Sequence, residues 1–272
     1  MLVEAGVEII ESHLAKDPRE LTKRLRKLVK HGTSCIAVAG GDGTMTIAAA
    51  ELAHEKTTLG VLPTGTGNSF ARGLGIANLE TAVQTIAHGQ MRKIDLGIVN
   101  GSHFANFATL GLVSEIAVAT PKALKAVSGI AAYTIAGIVT GLRSRPFRVK
   151  IHGSGISFDA KVHQVVVVAG RCFGTQPVIP EASLTSGKLV VFTTTASSPA
   201  GIAKDFLAIA MGTESKLDDA HWWMTKHVRI TTQTRQRLAI DGEEIEKTRV
   251  TRCKIDARAL RVFVPSDFHE AP

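Results

Sequence analysis

The sequence predicts an α/β fold in two parts, a parallel α/β domain over residues 1–92 and an antiparallel β-rich, sandwich-like domain over residues 93–272. Two observations carry the first part. The apolar runs at 35–39 and 58–62 are of strand length, and each passes directly into a glycine-rich loop and then a helical pattern. Strands alternating with helices build a parallel sheet. A third observation carries the second part. Beyond about Arg92 the chain changes to short runs rich in Val, Ile, Phe and Thr, among them 163–169, 187–194 and 227–232, the pattern of antiparallel strands. A chain of 272 residues accommodates both parts at ~100–200 residues per domain.

Taken in order, residues 2–10 read as a short apolar strand. Asp17-Pro18 then opens an amphipathic helix with Leu21, Leu25, Leu28 and Val29 on one face, and His31-Gly32 closes it. Lys23, Arg24, Arg26, Lys27 and Lys30 fall mostly on the other face, a solvated surface or an anion contact. After the strand at 35–39 come Gly40-Gly41-Asp42-Gly43-Thr44 and an alanine-rich helix from near Met45. After the strand at 58–62 come Pro63-Thr64-Gly65-Thr66-Gly67-Asn68 and a helix from Ser69. Residues 123–142 form an apolar stretch of near-membrane length, interrupted by Lys125, Ser128, Thr134, Thr140 and three glycines. It reads as a buried or cleft-lining helix rather than a span. The last residues are expected to return to the first domain.

Composition narrows the function classes. Hydrophobic residues at 44% and charged residues at 21% exclude wholesale disorder. Three cysteines, Cys35, Cys172 and Cys253, have no CxxC spacing, so neither a disulfide framework nor a cysteine zinc site is supported and a reducing, cytosolic compartment is expected. Ten histidines without HxxxH or HExxH spacing argue against histidine metal ligation. The net charge of +8 attracts nucleotides, nucleic acid or an anionic membrane surface. Aromatics at 5% leave few platforms on which single-stranded nucleic acid could stack. The acids Glu4, Glu8 and Glu11, with no basic region before an apolar run, give no signal-peptide pattern. Trp222-Trp223 reads as packing, with a membrane-interface seat as the alternative, and Cys172 beside Arg171 as a small buried residue rather than an activated thiol.

The glycine loops carry the chemistry. A strand ending in Gly-Gly-Asp-Gly-Thr before a helix places flexible backbone N–H groups at a helix N-terminus, where dipole and orphan donors favour phosphate. Asp42 among those donors suits a metal ion, a ribose or a hydroxyl; the plainer reading is a tight turn with Asp42 capping the helix. Two such loops converging on one crevice suggest a polyphosphate. Asp241-Gly242, between two alternating runs, is a hairpin signal.

The segments AVAGGDGTMTIAAAEL (37–52), GVLPTGTGNSFARGLGI (60–76), IDLGIVNGSHFANFATLGL (94–112) and IDGEEI (240–245) together resemble the diacylglycerol-kinase-type catalytic domain shared by bacterial lipid kinases, diacylglycerol kinases and sphingosine kinases. GGDGT alone is also similar to NAD kinases and phosphofructokinases; PTGTGNSFAR favours the lipid kinases. The resemblance implies ATP-dependent phosphorylation of a lipid hydroxyl, with nucleotide held between the two domains. Carried over, Gly40, Gly41, Asp42, Gly43, Thr44, Met45 and Thr46 line the nucleotide phosphates, with Gly65, Thr66, Gly67 and Asn68 from the second loop. Asp241 matches the family's proton acceptor, and Glu243 and Glu244 read as helpers or solvated turn residues. ATP and Mg²⁺ are the implied cofactors, Mg²⁺ travelling with the nucleotide. The implied setting is phospholipid metabolism, cytoplasmic and peripheral to the membrane, with a lipid substrate at an anionic surface and no nucleic-acid partner. A silent lipid- or nucleotide-binding regulatory protein and an NAD kinase are the alternatives. Two departures stand out. The family opens with a further strand, Asn-Pro and glycine loop and helix, expected to lie upstream of residue 2. Ser186 occupies the place of an Asp that in the family binds a structural Mg²⁺, with Glu181 as a conceivable substitute.

Overall fold

The computed structural model describes residues 1–112, 145–170, 172–173, 176–177, 182–195, 201 and 219–268. The stretch 123–142, Arg171, the Cys172 side chain and Glu181 lie outside them.

Four helices are described. α1 (Pro18–Lys30) starts at Asp17, whose carboxylate accepts the Glu20 N–H, with Pro18 in the first turn, and it ends at the His31 cap. Leu25 is buried and Leu21, Leu28 and Val29 pack on the core beside it. Of the basic face, Lys23, Arg26, Lys27 and Lys30 are exposed and Arg24 is partly buried, and Arg24 and Arg26 pair with Glu11 and Glu51. α2 (Asp42–Leu52), α3 (Ser69–Gly73) and α4 (Leu79–His88) complete the set, α4 capped by the Asn78 side chain on Thr81 N–H.

Strands β1 (Cys35–Gly40) and β2 (Thr58–Pro63) run parallel, Cys35 opposite Thr58 through Gly40 opposite Pro63. They are followed by β3 (Gln90–Val99), β4 (Ser102–Phe104), β5 (Phe107–Gly111), β6 (Phe147–Gly153), β7 (Ile156–Val162), β8 (Gln164–Val168), β9 (Cys172–Phe173), β10 (Gln176–Pro177), β11 (Leu189–Thr194), β12 (Ala220–Thr225), β13 (His227–Ile240) and β14 (Glu243–Val264). The path β1-β2-β14-β13-β5-β8-β11-β12 is one sheet, with β3 and β4 branching from β14 and β6 and β7 from β13. From β3 onward the long ladders are antiparallel, including β8, β11 and β13 within residues 160–240.

β14 serves both ends of the molecule. Its first half pairs with β13; its second half runs along β3, and Val262 lies parallel to Leu59 of β2. Leu260, Val262 and Val264 therefore join the core formed by α1, α2, α3, β1 and β2. A second core lies between the inward faces of β5, β6, β8, β11 and β13, rich in β-branched side chains that pack well on a pleated surface. Trp222 and Trp223 are partly buried on β12, their rings 4.1 Å from Phe192 and 5.1 Å from Phe158, which is packing.

Residues 2–10 are not a strand. They make turns closed by Ala5 N–H on Met1 O and Val7 N–H on Leu2 O, and Gly6 adopts a φ of 83° that breaks an extended run. Among the described residues β1 thus forms the outer edge of the parallel layer, and its side chains alternate between buried and exposed.

Candidate functional site

The first glycine loop is shorter than its sequence suggests. Helix α2 begins at Asp42, three residues before Met45, with Gly41 as its cap. Gly41 brings no side chain to the cap, so the orphan first-turn N–H groups face outward with the positive end of the helix dipole.

The second loop is braced from within. Asn68, in the left-handed region at φ 51°, accepts Gly65 N–H at 3.0 Å through Oδ1 and donates to Gly65 O at 2.7 Å through Nδ2. Thr64 N–H donates to Gly40 O at 3.1 Å, joining the two loops. They meet most closely at two glycines: a Cβ on Gly65 would lie 2.5 Å from the Gly41 Cα. No residue with a side chain fits there, so the convergence expected of the loops is a steric fact of this fold.

Asp42 caps a helix, but not its own. Its Oδ1 accepts the Phe70 N–H at 2.9 Å, in the first turn of α3, and its Oδ2 lies 3.0 Å from where a Gly67 Cβ would stand. The carboxylate therefore fastens the second loop to the first and keeps one oxygen toward the glycines. Thr66 is exposed at the crest of its loop, and Arg72 reaches back to Gly67 O at 3.2 Å, leaving a cation beside the loop. Met45 is a correction. It is 2% exposed in the core and its N–H is spent on Gly41 O, so it has nothing to offer a phosphate.

The β13–β14 hairpin closes the site. Asp241 and Gly242 both have positive φ, 47° and 87°, the two-residue turn that the Asp-Gly pair predicts. The turn lies against the first turns of α2: Thr46 donates to Asp241 Oδ2 at 2.6 Å, and Glu243 Oε1 stands 3.1 Å from where a Gly43 Cβ would be. Asp241 also accepts the N–H groups of Ala105, Asn106 and Phe107 at 3.0, 2.9 and 2.9 Å. Burial pushes its carboxyl above the ordinary aspartate range, while the Thr46 hydroxyl and those amides pull it back. Glu244 pairs with Arg237 away from the loops.

The glycine loops, Asp42, Thr46, Asp241 and Glu243 thus share one crevice. Two of its features have no local sequence signal: the gathering of residues 105–107 on Asp241, and the Thr46 contact. The donor set suits Mg²⁺ carried on a polyphosphate, which needs one or two carboxylates; Asp42 and Glu243 flank the glycines. The Ser186 position does not suit a second dication. The Ser186 hydroxyl is engaged with the Lys188 backbone at 3.2 Å, and its loop is held by Asp95, which accepts Gly187 N–H at 2.6 Å. A second cluster has no local sequence signal: Asp256 takes hydrogen bonds from both His54 and His103 at 2.9 Å.

Known proteins show the same pairing of parts. Residues 1–99 match the diacylglycerol kinase catalytic domain, and residues 110–264 match the YegS C-terminal NAD kinase beta sandwich-like domain. The diacylglycerol kinase of Bacillus subtilis (strain 168) is 30% identical over 265 residues, covering 88% of this chain and 86% of that protein. That of Staphylococcus aureus (strain bovine RF122 / ET3-1) is 26% identical over 271 residues, covering 98% and 85%. A crystal structure from Bacillus anthracis str. Sterne superposes with a TM-score of 0.78 at 26% identity, over 92% of this chain and 82% of that one. The two matched domains, in this order and around this crevice, place the chain in the diacylglycerol kinase family.

Proposed function

We propose that the protein transfers the γ-phosphoryl group of ATP to the hydroxyl of diacylglycerol or a related lipid. The observation that carries the reading is the contact of Gly41 with Gly65, which sets two glycine loops side by side at the N-terminus of α2. Phosphoryl transfer asks a protein chiefly to hold phosphates in line and neutralise their charge, and backbone donors with a helix dipole do both. Mg²⁺ bound with the nucleotide supplies further neutralisation, with Asp42 and Glu243 as its candidate protein ligands.

Asp241 is the proton acceptor in this reading. The lipid oxygen attacks the γ-phosphorus, its proton moves toward Asp241, and ADP leaves with the electron pair of the broken P–O bond. Burial raises the Asp241 carboxyl above the ordinary aspartate range, which makes it a stronger base than a solvated aspartate. No helix among the described residues is long and apolar enough to cross a membrane. We place the protein in the cytoplasm, meeting its lipid at an anionic membrane surface.

The test is labelled ATP offered to vesicles of diacylglycerol, to sphingosine and monoacylglycerol dispersions, and to soluble NAD. Label in a lipid is expected. Label in NAD alone would make the chain an NAD kinase, and nucleotide binding without transfer to any acceptor would make it a silent binder. Transfer on vesicles should rise with anionic lipid and fall with salt, since the +8 charge is screened over about 8 Å at physiological ionic strength.

A further inference from the structure

Four donors occupy the Asp241 carboxylate: Asn106 and Phe107 N–H on Oδ1, Ala105 N–H and the Thr46 hydroxyl on Oδ2. A carboxylate offers about four lone-pair positions, so an incoming proton finds none of them open. Three of the donors are backbone amides, whose N–H groups donate but do not accept a proton. Thr46 differs because a hydroxyl both donates and accepts. Its Oγ1 also lies 3.0 Å from the Asp42 carbonyl oxygen, and its single proton can serve only one of the two acceptors at a time. Thr46 is partly exposed in the first turns of α2, four residues after Asp42.

We propose that Thr46 relays the proton of the substrate hydroxyl to Asp241. The proposal rests on the reading of Asp241 as the base. As the substrate oxygen bonds to the γ-phosphorus, its O–H bond breaks and the proton passes to Thr46 Oγ1, while the former Thr46 proton passes to Asp241 Oδ2. The bond from phosphorus to the β,γ-bridging oxygen breaks, and its electron pair leaves with ADP. Asp241, now neutral, donates to Thr46 Oγ1, and the new Thr46 proton turns to the Asp42 carbonyl. Both protonation states of Asp241 are thereby satisfied without moving the three amides. The reverse shift returns the proton to water once the product has left.

The test compares Thr46→Val, which keeps the shape and removes the hydroxyl, with Thr46→Ser, which keeps the hydroxyl. Lipid phosphorylation at saturating ATP, ATP affinity and melting temperature are measured for both, with Asp241→Asn alongside. Turnover by Thr46→Val at saturating ATP, where any loss of ATP affinity is offset, is expected to fall about 10²- to 10³-fold, and Thr46→Ser is expected to restore turnover to within about tenfold of wild type. If the valine variant melts early, Thr46→Ala is the second hydroxyl-free variant, since alanine suits a helix best. Near-normal turnover by the hydroxyl-free variants beside an inactive Asp241→Asn overturns the relay and leaves the base in place. A serine variant as slow as the valine one, with folding intact, overturns the relay as well. An active Asp241→Asn removes the base and the relay together.

Discussion

Two aspartates gather backbone N–H groups from segments far away in the chain: Asp241 at the tip of the β13–β14 hairpin, and Asp95 in the middle of β3. Asp95 is 1% exposed, accepts Gly187 and Arg258 N–H at 2.6 and 2.8 Å, and gives its own N–H to Leu184 O at 2.7 Å. It pins the 183–188 loop to the irregular part of β14, where Arg258 takes a positive φ of 54°. Asp241 holds the 105–107 turn in much the same way, with the Thr46 hydroxyl among its partners and the glycine loops as its neighbours. A clamp whose partners include a group able to accept a proton, beside a phosphate cradle, can take part in chemistry. Collecting backbone N–H groups does not by itself distinguish the two.

The comparison can be broken at several points. On nucleotide binding the main effect is expected from Gly65→Val, which drives a branched side chain into the Gly41 backbone and parts the loops. At roughly 1–3 kcal/mol for such overpacking, ATP affinity should fall by about 10- to 100-fold, read by calorimetry; unchanged affinity would detach nucleotide binding from the loop contact. Asp95→Asn comes next. It sets an amide donor against an N–H and should cost roughly 1.5–3 kcal/mol of stability, measured by urea unfolding, with kcat nearly unchanged at a temperature where the variant is folded.

The smallest effect belongs to Asp256. Burial pushes its carboxyl up, but the hydrogen bonds and charges of His103 and His54 outweigh burial and hold it below the ordinary aspartate value. A carboxyl lowered on folding adds stability above its unfolded pKa and loses it as pH falls through the folded value. Asp256→Asn should therefore lower the melting temperature slightly at neutral pH and converge with wild type in acid. Parallel curves from neutral to acid pH would show that the two histidines do not hold this charge.

The parts of the site that sequence reasoning reached are those fixed by local chemistry. Asp-Gly between alternating runs is a two-residue hairpin, and the structure has it at 241–242. The glycine loops follow strands and open helices, although α2 starts three residues early because Asp42, Gly43 and Thr44 are themselves its first turn. Residues 2–10 misled because apolar content alone does not make a strand: Gly6 turns the chain, and Ile10 ends 93% exposed. What stayed hidden depends on tertiary closure. Thr46 and Asp241 are 195 residues apart, and no spacing rule links an alanine-rich helix to a distant hairpin. Asp95 lay inside a motif, yet only the fold reveals which loop it holds. The two histidines on Asp256 lie 202 and 153 residues before it and fit no ligand spacing.

The most direct test of the account is the turnover of Asp241→Asn on diacylglycerol vesicles, with ATP affinity and melting temperature measured on the same preparation. Asparagine tolerates the left-handed turn and nearly matches the carboxylate in shape, but it cannot take the hydroxyl proton. The account predicts turnover lowered by about 10²- to 10⁴-fold, with ATP affinity retained and the fold intact. Turnover close to wild type, in a variant that folds and binds ATP, would contradict it and leave Asp241, like Asp95, a structural clamp.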